Sequence, residues 1–169
     1  MKRFVMLIAI AALNLSTTTG CSRGKSVNEH DRKEAAFLAS EAKFALSVRE
    51  WSRAEDLLQK AVKVDSQGDY WLSLGATRMR LNKRAAAKDA YQAALKAFEV
   101  DTARNNKETA AWLKQAYVLA LLGRPDDSRA VIARAGKLFP NDPNVRAMLD
   151  PRGFEKMIST PAFKDMALQ

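Results

Sequence analysis

Three stretches of this chain lie over one another when it is compared with itself. "LASEAKFALSVREWSRAEDLLQKA" (38–61) aligns with "WLSLGATRMRLNKRAAAKDAYQAA" (71–94) at an offset of 33 residues. "WLKQAYVLALLGRPDDSRAVIARA" (112–135) follows at a further offset of 41. Leu38, Trp71 and Trp112 share one position, and Ala42, Gly75 and Ala116 the next. Ala54, Ala87 and Ser128 align, as do Leu58, Tyr91 and Ile132, and then Ala61, Ala94 and Ala135. The last three positions are spaced four and three apart, so they form one stripe on a helix. A bulky residue opens the first helix of each unit, and a small residue one turn later lets the second helix approach closely. The five prolines all fall at 125 or later, so nothing blocks helix before residue 124. No stretch alternates polar and apolar residues as a half-buried strand does. The chain therefore reads as all-α: a solenoid of about three helix–turn–helix units, 35–67, 68–101 and 109–142.

The third unit is the most regular. "GRPDD" at 123–127 supplies a glycine C-cap and a proline for the first turn of the following helix. Its residues Trp112, Ala116, Gly123, Ile132, Ala135 and Pro140-Asn141 resemble the tetratricopeptide repeat, a helical hairpin of about 34 residues. The second unit resembles it through Trp71, Leu74-Gly75, Ala87, Tyr91 and Ala94. The first is degenerate, with Leu38 in the tryptophan position and Ser66 in the proline position. Two departures stand out. Seven or eight extra residues separate the second and third units. Glu99 occupies the second unit's proline position, so that helix is expected to run from Ala85 to Arg104, roughly 30 Å. "NNKE" at 105–108 is a restart signal.

A stack of repeats ends on an apolar face that needs covering. The segment 143–169 is expected to form a C-terminal helical cap. Pro151 and Pro161 break it, and Phe154, Met157, Ile158 and Phe163 fold over the last repeat. Trp71 and Trp112 are expected in the core, and Trp51 beside the first unit's turn.

The N-terminus carries a second resemblance. Lys2 and Arg3, the apolar run Phe4 to Leu13, and "TTGC" at 18–21 have the three-part layout of a secretory leader. The apolar run is too short to cross a bilayer, which takes about 20 residues. "TTGC" resembles the lipobox of bacterial lipoproteins, although Thr18 stands where leucine is commonest. The resemblance implies that residues 1–20 are a removed signal peptide and that Cys21 carries lipid and begins the mature chain. Ser22 after the cysteine resembles outer-membrane sorting, which would place the protein in the outer membrane facing the periplasm of a Gram-negative host; a single-membrane host would give the plasma membrane instead. Cys21 is the only cysteine, so the fold does without disulfides. Residues 22–31 contain almost nothing apolar and read as a flexible tether after the lipid.

The formal net charge of +9 includes Lys2 and Arg3; without the leader +7 remains. His30, the only histidine, sits in the tether with no second histidine or cysteine to form a metal site or catalytic dyad. The glycine-containing "SRGKS" at 22–26 has no preceding strand, as a phosphate loop requires. The acidic residues Glu55-Asp56, Asp101 and Asp126-Asp127 read as solvated surface charge. No enzyme, cofactor, metal, nucleic acid or small-molecule substrate is expected.

The repeat resemblance implies that the first helices line a concave groove for a protein segment. Carried over by position, the groove residues are Lys43 in the first unit, Leu72, Met79 and Arg80 in the second, and Leu113, Lys114 and Tyr117 in the third. Ala39, Leu46, Ala76 and Leu121 are their neighbours. Ala39, Ser73 and Ala110 stand where chaperone-docking relatives clamp a terminal carboxylate, so that docking is not expected. The groove suits a hydrophobic segment, with cations at its rim for an acidic one. The expected function is a membrane-tethered adaptor, a scaffold or assembly factor for a pilus, secretin or secretion system. The pilotin-like component of the tight-adherence pilus is one such protein. The competing expectation is a binding module for anionic envelope polymers, suggested by the positive charge.

Overall fold

The computed structural model describes residues 27–105 and 107–168. Residues 1–20, expected as a signal peptide, Cys21 and most of the expected tether lie outside the described residues. Among the described residues the chain forms helices alone: α1 (Glu29–Ser47), α2 (Trp51–Val64), α3 (Gly68–Arg80), α4 (Arg84–Arg104), α5 (Thr109–Leu121), α6 (Pro125–Leu138), α7 (Pro143–Leu149), α8 (Pro151–Ser159) and α9 (Pro161–Lys164). The hairpin partners α1–α2, α3–α4 and α5–α6 make the most extensive packing, and α2–α3 and α4–α5 join successive hairpins. No described helix is long and apolar enough to cross a membrane.

The aligned positions converge between the paired helices. Ala54, Ala87 and Ser128, then Leu58, Tyr91 and Ile132, then Ala61, Ala94 and Ala135 are each no more than 3% exposed. Gly75 explains its own size: a Cβ there would run into the Tyr91 ring. Ser128 replaces alanine without leaving a buried hydroxyl unpaired, because its Oγ donates to the Ala116 carbonyl at 2.7 Å.

The repeat offsets also appear in the turns. Arg49, Asn82 and Gly123 all adopt positive φ, at 62°, 58° and 73°. They lie 33 and then 41 residues apart, as the units do. After each, the next amide reaches back over the helix end: Glu50 to Ala45, Lys83 to Arg78 and Arg124 to Leu119, at 2.8–2.9 Å. This is the left-handed helix stop that favours glycine. Only the third unit supplies one.

Several expectations need correction. Helix α1 starts inside the segment read as tether. The Asn28 side chain accepts from the Asp31 amide at 2.8 Å, and Asp31 accepts from the Asn28 amide at 3.4 Å. This capping box uses aspartate in place of glutamate, so residues 29–31 are helical. Glu55 is buried rather than solvated. It accepts from Arg78 Nε at 3.2 Å and from Lys83, which ties α2 to the next unit. Burial works against its charged form, but the hydrogen bonds from Lys83 and Arg78 outweigh it and hold the pKa below the ordinary value. "NNKE" does not cap α5. Asn105 donates instead to the Glu108 side chain at 2.9 Å and accepts from the Lys107 amide, folding the loop on itself. Trp71 is half-buried, with Nε1 donating to Ser66 Oγ at 2.7 Å, whereas Trp112 is buried.

The long second helix of unit two is α4, at 21 residues. The C-terminal segment forms α7, α8 and α9, each with proline in its first turn. Asp142, Asp150 and Thr160 cap them through their side chains. Phe154 and Phe163 are buried against the last hairpin, and Met157 and Ile158 pack half-buried beside them.

Candidate partner-binding groove

The tail does more than close the end of the stack. Tyr91, on the second unit, donates its hydroxyl to the Met166 carbonyl at 2.9 Å. The Leu168 amide donates to the Leu121 carbonyl at 2.8 Å. Phe163 meets Tyr117 edge-on, with ring centroids 5.7 Å apart. Burial raises the pKa of both tyrosines, most strongly Tyr91, so both hydroxyls stay neutral. The chain's own last residues therefore bridge the second and third units.

Between α5 and this cap a cavity of about 350 Å³ remains. Leu113, Ala116, Tyr117 and Ile132 form one side; Ala147, Met148 and Met157 form the other. Lys114 and Asn144 stand at its polar edge. Lys114 Nζ is held by Asp69 at 2.7 Å and lies 5.9 Å from the centre of the Phe98 ring. Two methionines in the wall give a flexible, polarisable lining that adapts to irregular apolar shapes.

Of the groove residues read from the sequence, those of the third unit line this cavity and those of the first two do not. Leu113, Lys114 and Tyr117 line it together. Leu72 and Met79 on α3 pack half-buried against the same hydrophobic cluster. Arg80 sits with its guanidinium 5.0 Å over the Trp51 ring, and Lys43 is exposed on α1. The wall formed by Ala147 and Met148 was not anticipated. No repeat position points to it, because it belongs to the cap.

A second, wider and more polar groove runs between the start of α3, the last turns of α4 and the start of α5. Asp65, Asp69, Asp101 and Glu108 face Arg32, Lys96 and Arg104 there, so the charges are mixed. His30, Asp31 and Glu34 bring possible ligand atoms within 4.8 Å of one another, but the Asp31 carboxylate already serves the α1 cap.

Paired hairpins with a recurring bulky–small–stripe core define a helical-repeat solenoid. Residues 109–149 match the tetratricopeptide repeat family, which covers the third unit and α7. No curated protein sequence matches the chain. Among solved structures, the chain is similar to the type III secretion translocator chaperone SycD of Yersinia enterocolitica, in its alternative dimer. The identity is 18%, with 82% of this chain and 96% of that one covered and a TM-score of 0.47. The fold is a tetratricopeptide-like solenoid with a C-terminal helical cap.

Proposed function

We propose that this protein is a membrane-tethered adaptor that holds an apolar segment of a protein partner in the cavity between α5 and the C-terminal cap. It acts as a scaffold or assembly factor for an envelope machine such as a pilus, secretin or secretion system. One observation carries the binding step: an open, apolar cavity of about 350 Å³ with two methionines in its wall and Lys114 at its edge. An apolar side chain entering it gains burial against the apolar walls, up to roughly 1.5–3 kcal/mol for a fully covered leucine or phenylalanine. Lys114, already paired with Asp69, contributes direction more than affinity. Tyr117 serves as a wall, because its ring is committed to Phe163.

The anchor rests on "TTGC" at 18–21 and the short apolar run before it. Several acyl chains on Cys21 would hold the chain durably, whereas one holds weakly. A polyanion-binding role finds less support. Arg53, Arg78, Lys83, Arg104, Lys114, Arg124 and Arg129 each face a carboxylate of their own chain, so they do not form a bare basic stripe.

Ala147 is exposed on the cavity wall, so Ala147→Trp should plug the cavity without touching the core. A photo-reactive residue at position 144 in the native cell should trap a protein partner, and the plugged chain should lose that product. An undiminished product would place binding elsewhere. Cys21→Ala should release the chain from the membrane fraction or leave it uncleaved. Labelling by a fatty acid that persists in this variant would refute the anchor.

A further inference from the structure

The first helix exposes an apolar stripe whose counterparts in the two other units are buried or half-buried. Phe37 and Phe44 lie seven residues apart on one face of α1, and Val48, the residue that caps the helix, follows four residues on. They are 66%, 58% and 48% exposed. The repeat offsets map Phe44 onto Thr77 and then Val118, which are 1% and 0% exposed, and Phe37 onto the half-buried Tyr70 and then Ala111, which is 9% exposed.

The difference has a structural cause. Helices α3 and α5 each pack on the second helix of the unit before, α2 and α4. Arg78 beside Thr77 reaches Glu55 on α2. Gln115, one turn before Val118, meets Thr102 on α4 at 3.4 Å. These positions therefore face the preceding unit. Among the described residues no unit precedes α1, yet it carries two phenylalanines where a polar face would suffice. Terminal repeats ordinarily turn a polar face outward.

We propose that this face of α1 is the dimer interface of the protein, covered by the same face of a second copy. Three observations favour a second copy over other occupants. The described chain begins at Val27, and if cleavage falls at Cys21, as the adaptor reading requires, the stretch "SRGKSVN" before α1 is too short and polar to cover the face. The face is self-complementary in an antiparallel crossing at Ser40. Phe37 and Phe44 straddle that serine and would each meet the other copy's Phe44 and Phe37, with Ala36, Ser40 and Ser47 as the gaps that receive the rings. Most of its charges are satisfied at home: Lys33 pairs with Glu29 at 2.7 Å and Glu41 with Arg53 at 3.7 Å. Glu34, one turn before Phe37, leaves a negative charge on the face, which disfavours an acidic partner or an anionic bilayer. Two-fold self-contact is the commonest closed assembly. Two phenylalanines and a valine per copy make a core at the small end of stable interfaces, which bury roughly 1,200 Å² or more in total. The dimer is therefore reversible, and tethering both copies to one membrane raises its population.

The test uses the full chain in its own membrane, with photo-reactive benzoylphenylalanine at position 47 on the rim of the face. Irradiation should give a product of twice the chain mass whose crosslinked peptide joins α1 to α1. Phe37→Glu with Phe44→Glu should reduce it at least tenfold, and Leu138→Glu, an exposed apolar residue on α6, should not. Helicity should be unchanged in both. Ser40→Arg, which keeps both rings, should act like the double glutamate change. Absence of the double-mass product, adducts with lipid or other proteins alone, or a product that survives these changes would overturn the proposal. The mass of the uncrosslinked chain shows separately whether residues 1–20 have been removed, so failure of the anchor reading is not mistaken for failure of the dimer.

Discussion

The first and third units are built to one plan and finished differently. In the third, Trp112 fills the gap between α5 and α6, Gly123 makes the helix stop, and α7–α9 cover the outer side. In the first, Leu38 stands in the tryptophan position, Arg49 is forced to φ 62°, and the outer face of α1 is exposed. The seams differ as well. Units one and two are joined by a smaller apolar cluster, with Leu58 and Val62 beside Leu74 and Ala90, and by a buried carboxylate with Arg78 and Lys83. A continuous apolar cluster, which the tail extends through Met166 and Leu168, joins units two and three. Stability in a solenoid is a sum of unit and seam terms. The C-terminal half should therefore be the stable end and the first hairpin the first to open.

The largest break should come at Trp112. Trp112→Ala empties the centre of the best-packed hairpin and should cost about 3–5 kcal/mol. Circular dichroism should show most of the chain melting together at a lower temperature. An unchanged midpoint would mean that the third unit does not anchor the fold.

Glu55→Gln tests the weaker seam. Breaking a buried ion pair costs about 3–5 kcal/mol, and the half-exposed Lys83 should bring this case down to about 2 kcal/mol. The sign with pH follows from the depressed carboxylate pKa. The stabilisation is present above the ordinary value of 4.5 and is lost as the pH falls through the lower folded value. Urea midpoints of wild type and variant should differ at pH 7 and converge in strong acid. A constant difference would mean that charge is not what Glu55 contributes.

The smallest effect comes from the turns. Arg49→Gly should stabilise by about 1 kcal/mol, because a left-handed residue with a Cβ is strained by roughly that amount. Gly123→Ala should destabilise by a similar amount. Matching denaturant melts would check the opposite signs, and equal signs would break the likeness of the two turns.

The core was legible in the sequence because its rule is periodic. Small residues at 54, 87 and 128 and bulky ones at 58, 91 and 132 declare a shared stripe, and the structure buries all of them. Departures from that period were harder to read. Glu55 follows a core alanine and looks like the start of a solvated face; only Lys83 and Arg78, arriving from the next unit, make its burial tolerable. Arg49 and Asn82 carry no glycine to announce a positive φ. The cavity depends on how far the cap stands from α5, and no local spacing encodes that distance. Leu113, Lys114 and Tyr117 could be named because they sit on a repeat helix, whereas Ala147 and Met148 could not.

Native-state hydrogen exchange on the Phe37→Glu, Phe44→Glu chain, in which contact between copies does not protect α1, compares the two ends most directly. Amides of α4, α5 and α6, together with the Leu168 amide that donates to Leu121, should exchange last and as one group. Amides of α1 and α2 should exchange through a smaller opening, ahead of them. If α1 and α2 are protected as strongly as α5 and α6, or if the Leu168 amide exchanges as fast as a free chain end, the tail does not lock the second and third units together and the asymmetry between the two ends is wrong.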